Sequence, residues 1–540
     1  MTEPHTHTRR QFVRGAVQLG IGAAALATLA PRAASAAPVK AGVPGPVQVL
    51  LADLRETTAA DFARGQARGV TPVAPGGRAG LRGSAGGAFT SGTLALPFPA
   101  THAGLHWVVE GTDAETVAVE LRTSADDRTW SPWQPLQIEA VAEAATDREV
   151  FAALAGAAGA RFAQYRATFQ SAEPTTLTAM TVTAINSVDG PQATAATAAR
   201  TTASFATPDG PGRQKSFTVI TREGWGCDEA LRFSGTSERW PEMYVPVKKV
   251  VLHHTATGNT YTNGAAEVRA IYAYHAKTLG WGDIGYNSLI DKYGNIYEGR
   301  HGRGETADTR EILSADVVAG HVYGHNYGST GVAALGNFDP PRPRAKAVEP
   351  TVEMKTAIAD VVTFECGRQG IDPDAPSDFL KSDGTWHTGL QGCSGHSDSY
   401  STECPGTTLK AYLPTLRTTV AARLSRLSAP TLSGPDQVQP LTASDTLTLT
   451  FTWPEGTVAS FCLEGWSKRA DSEDITYLRG YAAPLSGEPD YGEPLVNRQS
   501  WTANTSNPSG ISFTGLSAGH YTMHVRGPNR YEANRTYLVK

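Results

Sequence analysis

The sequence predicts a multidomain protein: a central α/β domain (mixed β-sheet flanked by helices), residues 216–427, between an N-terminal β-sandwich and a C-terminal immunoglobulin- or fibronectin-like β-sandwich. Three observations predict it. A chain of 540 residues is too long for one hydrophobic core. Residues 86–190 and 428–540 carry alternating, β-branched stretches broken by turn residues, such as TVAVELRTS and TLTLTFTW. Between them, strand-like runs are interspersed with apolar residues at helical spacing.

The elements follow in order. Arg9-Arg10 precedes a weakly apolar run at 15–30 and the small residues Ala-Ser-Ala-Ala-Pro at 34–38. That run is shorter than the roughly 20 residues a bilayer needs, so residues 1–36 are expected to be a cleavable twin-arginine export signal. The expected location is secreted, outside the cell and associated with its wall. Residues 37–85, rich in Ala, Gly and Pro, are expected to run as an extended lead-in, and 86–190 to form the first sandwich. Trp130, Trp133 and, in the last domain, Trp501 are expected in sandwich cores rather than on glycan platforms. Residues 191–215 lack a burial pattern and read as a linker.

In the central domain, KKVVLHH (248–254) reads as a strand. GAAEVRAIYAYHAKTL (264–279) places Val268, Ile271, Tyr272, His275 and Leu279 on one helical face, with Gly280 as its stop. YNSLIDKYGNIYEGR reads as a hairpin turning at Tyr293-Gly294-Asn295. VEMKTAIADVVTFECGRQG is a second helix, and a third after Gly406 is expected to kink or break at Pro414.

Charge and cysteines narrow the function. A net charge of −5 without a dense Lys/Arg patch argues against nucleic acid as a partner, and no later run could span a membrane. Five cysteines, an odd number, leave one thiol for other work. Cys366 with Cys393 is the preferred disulfide, with Cys227 a competitor for either. In HSDSYSTECPG, His396 and Cys404 offer an imidazole and a thiolate, both suited to zinc. A catalytic zinc needs a third protein ligand, and His253-His254 closing a strand is the obvious source. Strand alternation sends these two to opposite faces, so one alone can serve, and the pattern does not choose.

VVLHHTAT (250–257) and YHAKTLGWGDIGYNSLIDKYGNIYEGR (274–300), then Gly320-His321, Leu335-Gly336-Asn337-Phe338, Gly395-His396 and Thr402-Glu403-Cys404-Pro405-Gly406, resemble the peptidoglycan recognition proteins and the zinc N-acetylmuramoyl-L-alanine amidases. The resemblance covers about 200 residues. It implies Zn²⁺ held by His253, His396 and Cys404, with Tyr286 and Thr402 supporting hydrolysis of the bond between N-acetylmuramic acid and L-alanine. It implies peptidoglycan as the partner; the flanking domains lie outside the resemblance and are expected to target the wall, with glycan contacts, or to act as spacers. The alternative is a peptidoglycan-binding protein that does not cleave; the cysteine and Tyr286 favour catalysis. Two departures stand out: His396-Ser397-Asp398 where the family has His-Arg-Asp, and no carboxylate assigned to protonate the leaving amine. Cys393 as a fourth ligand would close the site and abolish hydrolysis.

Overall fold

The computed structural model describes residues 47–424 except 74–78, 111–115, 144–146, 191–200, 211–212, 304–309 and 341–344. Beyond these it describes 431–435, 441–442, 444–452, 460–468, 491–496, 502–503, 510–516, 519–526 and 532–539. The export signal, the start of the lead-in, residues 191–200 of the linker and Trp501 lie outside the described residues.

The N-terminal module holds β1 (Leu50–Glu56), α1 (Ala59–Ala63), β2 (Gln66–Val73), β3 (Gly80–Thr90), β4 (Leu94–Glu110), β5 (Val117–Ser124), β6 (Gln134–Leu136), β7 (Ile138–Glu143), β8 (Asp147–Ala152), β9 (Ala155–Phe169) and β10 (Thr175–Asn186). These strands form one ten-stranded sheet, all of whose pairings are antiparallel, instead of two stacked sheets. The 17-residue β4 is long enough to pair with β10, β8 and β9 along its length, so β9, β3, β10 and β4 close a ring. Inside lie Leu81, Phe89, Leu105, Trp107, Tyr165 and Val182. The lead-in is correspondingly shorter than expected: β1 to β3 belong to this sheet. Their side chains alone did not show it, because β2 buries one residue, Val70, and pairs through its backbone. Trp130 and Trp133 are half-buried, each under the guanidinium of Arg122, at 4.8 and 4.6 Å from the ring centroids.

The central sheet has seven strands in the order β11 (Thr202–Gly210), β12 (Arg213–Ile220), β17 (Ile296–Glu298), β16 (Ser288–Ile290), β18 (Ser329–Ala334), β15 (Lys249–His254), β21 (Cys393–Gly395). Two small hairpins lie outside it: β13 (Phe233–Ser234) with β14 (Ser237–Glu238), and β19 (Pro376–Leu380) with β20 (Trp386–Gln391). The linker reading fails over 202–210, which pair antiparallel with β12; Phe205 stacks on Phe217 at 5.5 Å. The expected hairpin forms, with Gly294 at φ +83° in its turn. β15 runs parallel between β18 and β21 and all six of its residues are buried, as a strand covered on both faces requires.

Helices α3 (Val352–Gln369) and α4 (Thr407–Leu424) cover one face, against Val250, Leu252 and Val332. Helix α2 (Gly264–Ala273) covers the other, against Leu289, Ala333 and Leu335. Its last turn opens into a π-turn, Tyr274–Thr278, so the expected single helix to 279 is not a uniform one. Helix α4 continues through Pro414: a proline removes one backbone donor, while Leu409, Leu413, Leu416 and Val420 stay buried along both halves. Thr351 caps α3, accepting from the Met354 amide at 3.1 Å and donating to the Lys292 carbonyl at 2.7 Å. Thr351→Ala is expected to lower stability by about 1–2 kcal/mol, read in denaturant unfolding of the full chain.

Cys366 and Cys393 are free thiols in the apolar core between α3, α4 and the sheet, not the expected disulfide. Burial pushes the Cys393 thiol up to about 12 and raises Cys366 as well, so neither supplies the thiolate that exchange requires. The described strands beyond residue 430 form two antiparallel sheets, of three and five strands. No helix among the described residues is long and apolar enough to cross a membrane.

Candidate metal centre

The centre lies at the carboxyl ends of β15 and β21, where open α/β sheets commonly place their sites. β15 ends in His253. A single turn of 3₁₀ helix, His396–Asp398, follows β21, and Cys404 enters on the loop before α4. Each of the three residues offers one ligand atom, and these atoms lie within 4.8 Å of one another. They are 0%, 6% and 7% exposed. The Cys404 Sγ to His253 Nδ1 distance is 3.5 Å, close to the separation of roughly 3.5 Å that two such ligands keep on a tetrahedral zinc. The backbone N–H of His254 points at Sγ from 3.4 Å and favours the thiolate. Imidazole, imidazole and thiolate therefore fit zinc in chemistry and in spacing. Cys393 lies in the apolar core and outside this group, which among the described residues has three members.

Hydrogen bonds decide between the two neighbouring histidines. Ser329 donates its hydroxyl to the His325 carbonyl at 2.5 Å, so toward His321 Nε2, 3.3 Å away, it accepts. His321 then carries its proton on Nε2 and accepts at Nδ1 from His253 Nε2, at 3.0 Å. The lone pair of His253 is left on Nδ1, which faces Cys404. His254 is committed elsewhere. Its Nδ1 accepts from the Phe338 amide at 3.3 Å and its Nε2 meets Gln137 Oε1 at 3.2 Å. Burial lowers His254 to about 4, which keeps it neutral. Gly406, at φ +89°, lies so close that a Cβ there would stand 2.8 Å from His254 Nδ1.

His321 is the residue that sequence reasoning missed. It appeared there as a motif match without a role, and only the fold brings it to His253, from the loop that precedes β18. His321→Ala is expected to weaken zinc affinity about 10–100-fold, measured by chelator competition.

Tyr286 is buried, its ring 5.5 Å from that of His253 and 5.7 Å from that of His275. Thr402 is half-buried on the cysteine loop, and its hydroxyl accepts from the Cys404 amide at 3.3 Å. At Ser397, where the sequence resemblance led to an expected arginine, Lys410 reaches in from α4. It donates to Ser397 Oγ at 3.1 Å and also binds Asp398, so a cation does stand beside the ligand loop. His275 accepts from the Gly285 amide at Nδ1, 3.0 Å, as a satisfied core histidine would.

Residues 243–407 match the family model described as N-acetylmuramoyl-L-alanine amidase. The chain is 34% identical over 124 residues to peptidoglycan-recognition protein SC2 of Drosophila simulans, a stretch that is 23% of this chain and 56% of that protein. It is 28% identical over 171 residues to the human N-acetylmuramoyl-L-alanine amidase, 31% of this chain and 24% of that protein. The match therefore spans about half of the first relative and a quarter of the second. A solved structure, wild-type PGRP-LB of Drosophila, is 22% identical, with 36% of this chain and 92% of that chain covered and a TM-score of 0.26.

Proposed function

We propose that the chain is a secreted, zinc-dependent N-acetylmuramoyl-L-alanine amidase that hydrolyses the amide joining N-acetylmuramic acid to the L-alanine of peptidoglycan. One observation carries the reading: His253, His396 and Cys404 converge within 4.8 Å, beside Tyr286, inside the segment that matches the amidase family. Zinc bound there supplies Lewis-acid polarisation of the scissile carbonyl and a nucleophile at neutral pH.

The chain's own side chains do the rest. His321 orients His253 and fixes its tautomer. Thr402 braces the cysteine loop while keeping a hydroxyl proton to donate. The Tyr286 phenol donates to the oxygen on which charge develops, in a buried site where such a hydrogen bond is strong. Tyr286→Phe is accordingly expected to lower kcat about 10–100-fold with zinc content unchanged, read by turnover beside metal analysis.

The deciding experiment incubates zinc-loaded protein with purified peptidoglycan. Hydrolysis releases new alanine amino termini together with muramic acid freed of peptide. Binding without release would replace the enzyme by a wall-binding protein, and other new amino termini would indicate a peptidase. Export by the twin-arginine signal, and spacing or wall targeting by the flanking β modules, complete the proposal.

A further inference from the structure

A helix lying on a sheet ordinarily keeps one face in water. Helix α2 does not: every residue from Ala266 to Ala273 is buried. The N-terminal module covers its outer face. Ala140, Ala142, Phe151, Leu154 and Ile185 of the module share one apolar cluster with Val268, Ile271, Tyr272, Tyr274 and Tyr286. Polar contacts fix the placement. Tyr274 donates to the Ala152 carbonyl at 2.8 Å, His102 Nε2 lies 2.9 Å from Glu267, and Arg269 donates to the Ser187 carbonyl at 3.0 Å.

The same module reaches the rim of the metal centre. Gln137 donates to Asp339 at 3.1 Å and to Glu403, next to the cysteine ligand, at 2.8 Å, while its carbonyl oxygen meets His254. The gap between Glu139 and Leu154 of the module and Thr255, His275 and Tyr286 of the central domain, on the Tyr286 side of the centre and not lined by the metal ligands themselves, measures about 10 Å³, room for one water at most. A muramoyl-peptide does not fit there.

We infer that the N-terminal module is an intramolecular cover on the metal centre, and that peptidoglycan gains the site only when the module leaves α2. The inference rests on the amidase reading for its substrate but not for its geometry. A cross-link tests it. A Cβ built on Gly156 of the module stands 3.9 Å from Gly258 Cα, and one built on Gly258 stands 3.9 Å from Gly156 Cα, so the two backbones pass close enough for cysteines there to be cross-linked. The full zinc-loaded chain carrying Gly156→Cys and Gly258→Cys is oxidised with glutathione disulfide and compared with its phosphine-reduced form.

The locked form is expected to hydrolyse peptidoglycan, and to surrender zinc to EDTA, at least about tenfold more slowly than the reduced form. Gly104→Ala acts in the opposite direction. Its Cβ would stand 2.4 Å from the buried Tyr274 ring, wedging the interface, and both rates should rise above those of the parent. A fully oxidised protein that cleaves and releases zinc as fast as the reduced one overturns the cover. Lock-dependent zinc release with no new alanine termini from any variant keeps the cover and removes the amidase.

Discussion

Cys404→Ala is expected to purify without zinc and to lose hydrolysis of peptidoglycan by about 10³-fold or more, while the fold persists. The sulfur is the one anionic ligand of the proposed set, and it sits 3.5 Å from His253 Nδ1 under the backbone N–H of His254. Its removal leaves two neutral imidazoles and a buried gap, a poor site for a divalent ion. The neighbouring histidines sharpen the test, because the hydrogen bonds assign them different work. His253→Ala should behave as Cys404→Ala does. His254→Ala should keep its zinc and lose about 1–3 kcal/mol of stability, since the Phe338 amide loses its acceptor. Metal analysis of the three variants, run beside turnover, reads all of this at once. Full zinc and full activity in Cys404→Ala would falsify the metal assignment; zinc lost only in His254→Ala would exchange the histidines.

Much of the centre was readable because its parts are local and chemically distinctive. His396 and Cys404 are eight residues apart, and the apolar run Val250 to Leu252 leads into His253, so periodicity and ligand chemistry point to the same few side chains. The choice between His253 and His254 was not readable from pattern. It turns on Ser329 and His321, about 70 residues away and brought in by β18. The N-terminal strands were missed for a different reason. QARGVTPV buries only Val70, and strands of this kind are held by register with β3, which composition does not encode. Gln137 carried no signal at all. A lone glutamine in the one-residue link between β6 and β7 becomes meaningful only when the module is laid against Asp339, Glu403 and His254.

The largest loss of stability is expected from Asp283→Asn. Asp283 lies in the GDIGYN stretch, three residues before Tyr286, fully buried between two guanidiniums: Arg222 at 2.9 Å and Arg300 at 2.7 Å. It also accepts from the amides of Ile284 at 2.8 Å and His301 at 3.0 Å. Arg222 keeps Glu229 if Asp283 is neutralised. Arg300 keeps the Trp240 and Pro241 carbonyls and the Trp240 ring but, among the described residues, no directly bonded carboxylate, Glu242 acting on it only through space. An uncompensated buried cation costs about 3–5 kcal/mol, or a fall of about 10 °C in the transition of a domain this size. The charge, not the shape, carries the effect, and pH separates the two. Burial alone raises the Asp283 carboxyl, but Arg222 and then Arg300 outweigh it and hold the group below its ordinary 3.8. A carboxyl depressed in the fold stabilises it above the unfolded value and loses that contribution as pH falls toward the folded one. The gap between parent and Asp283→Asn should therefore be full near neutrality and narrow as pH drops below 3.8, read as the central domain's transition at each pH. A gap that stays constant down to strong acid would assign the loss to packing instead. Because the same carboxylate anchors the turn that aims Tyr286, the variant at neutral pH should also lose turnover by more than its unfolded fraction explains.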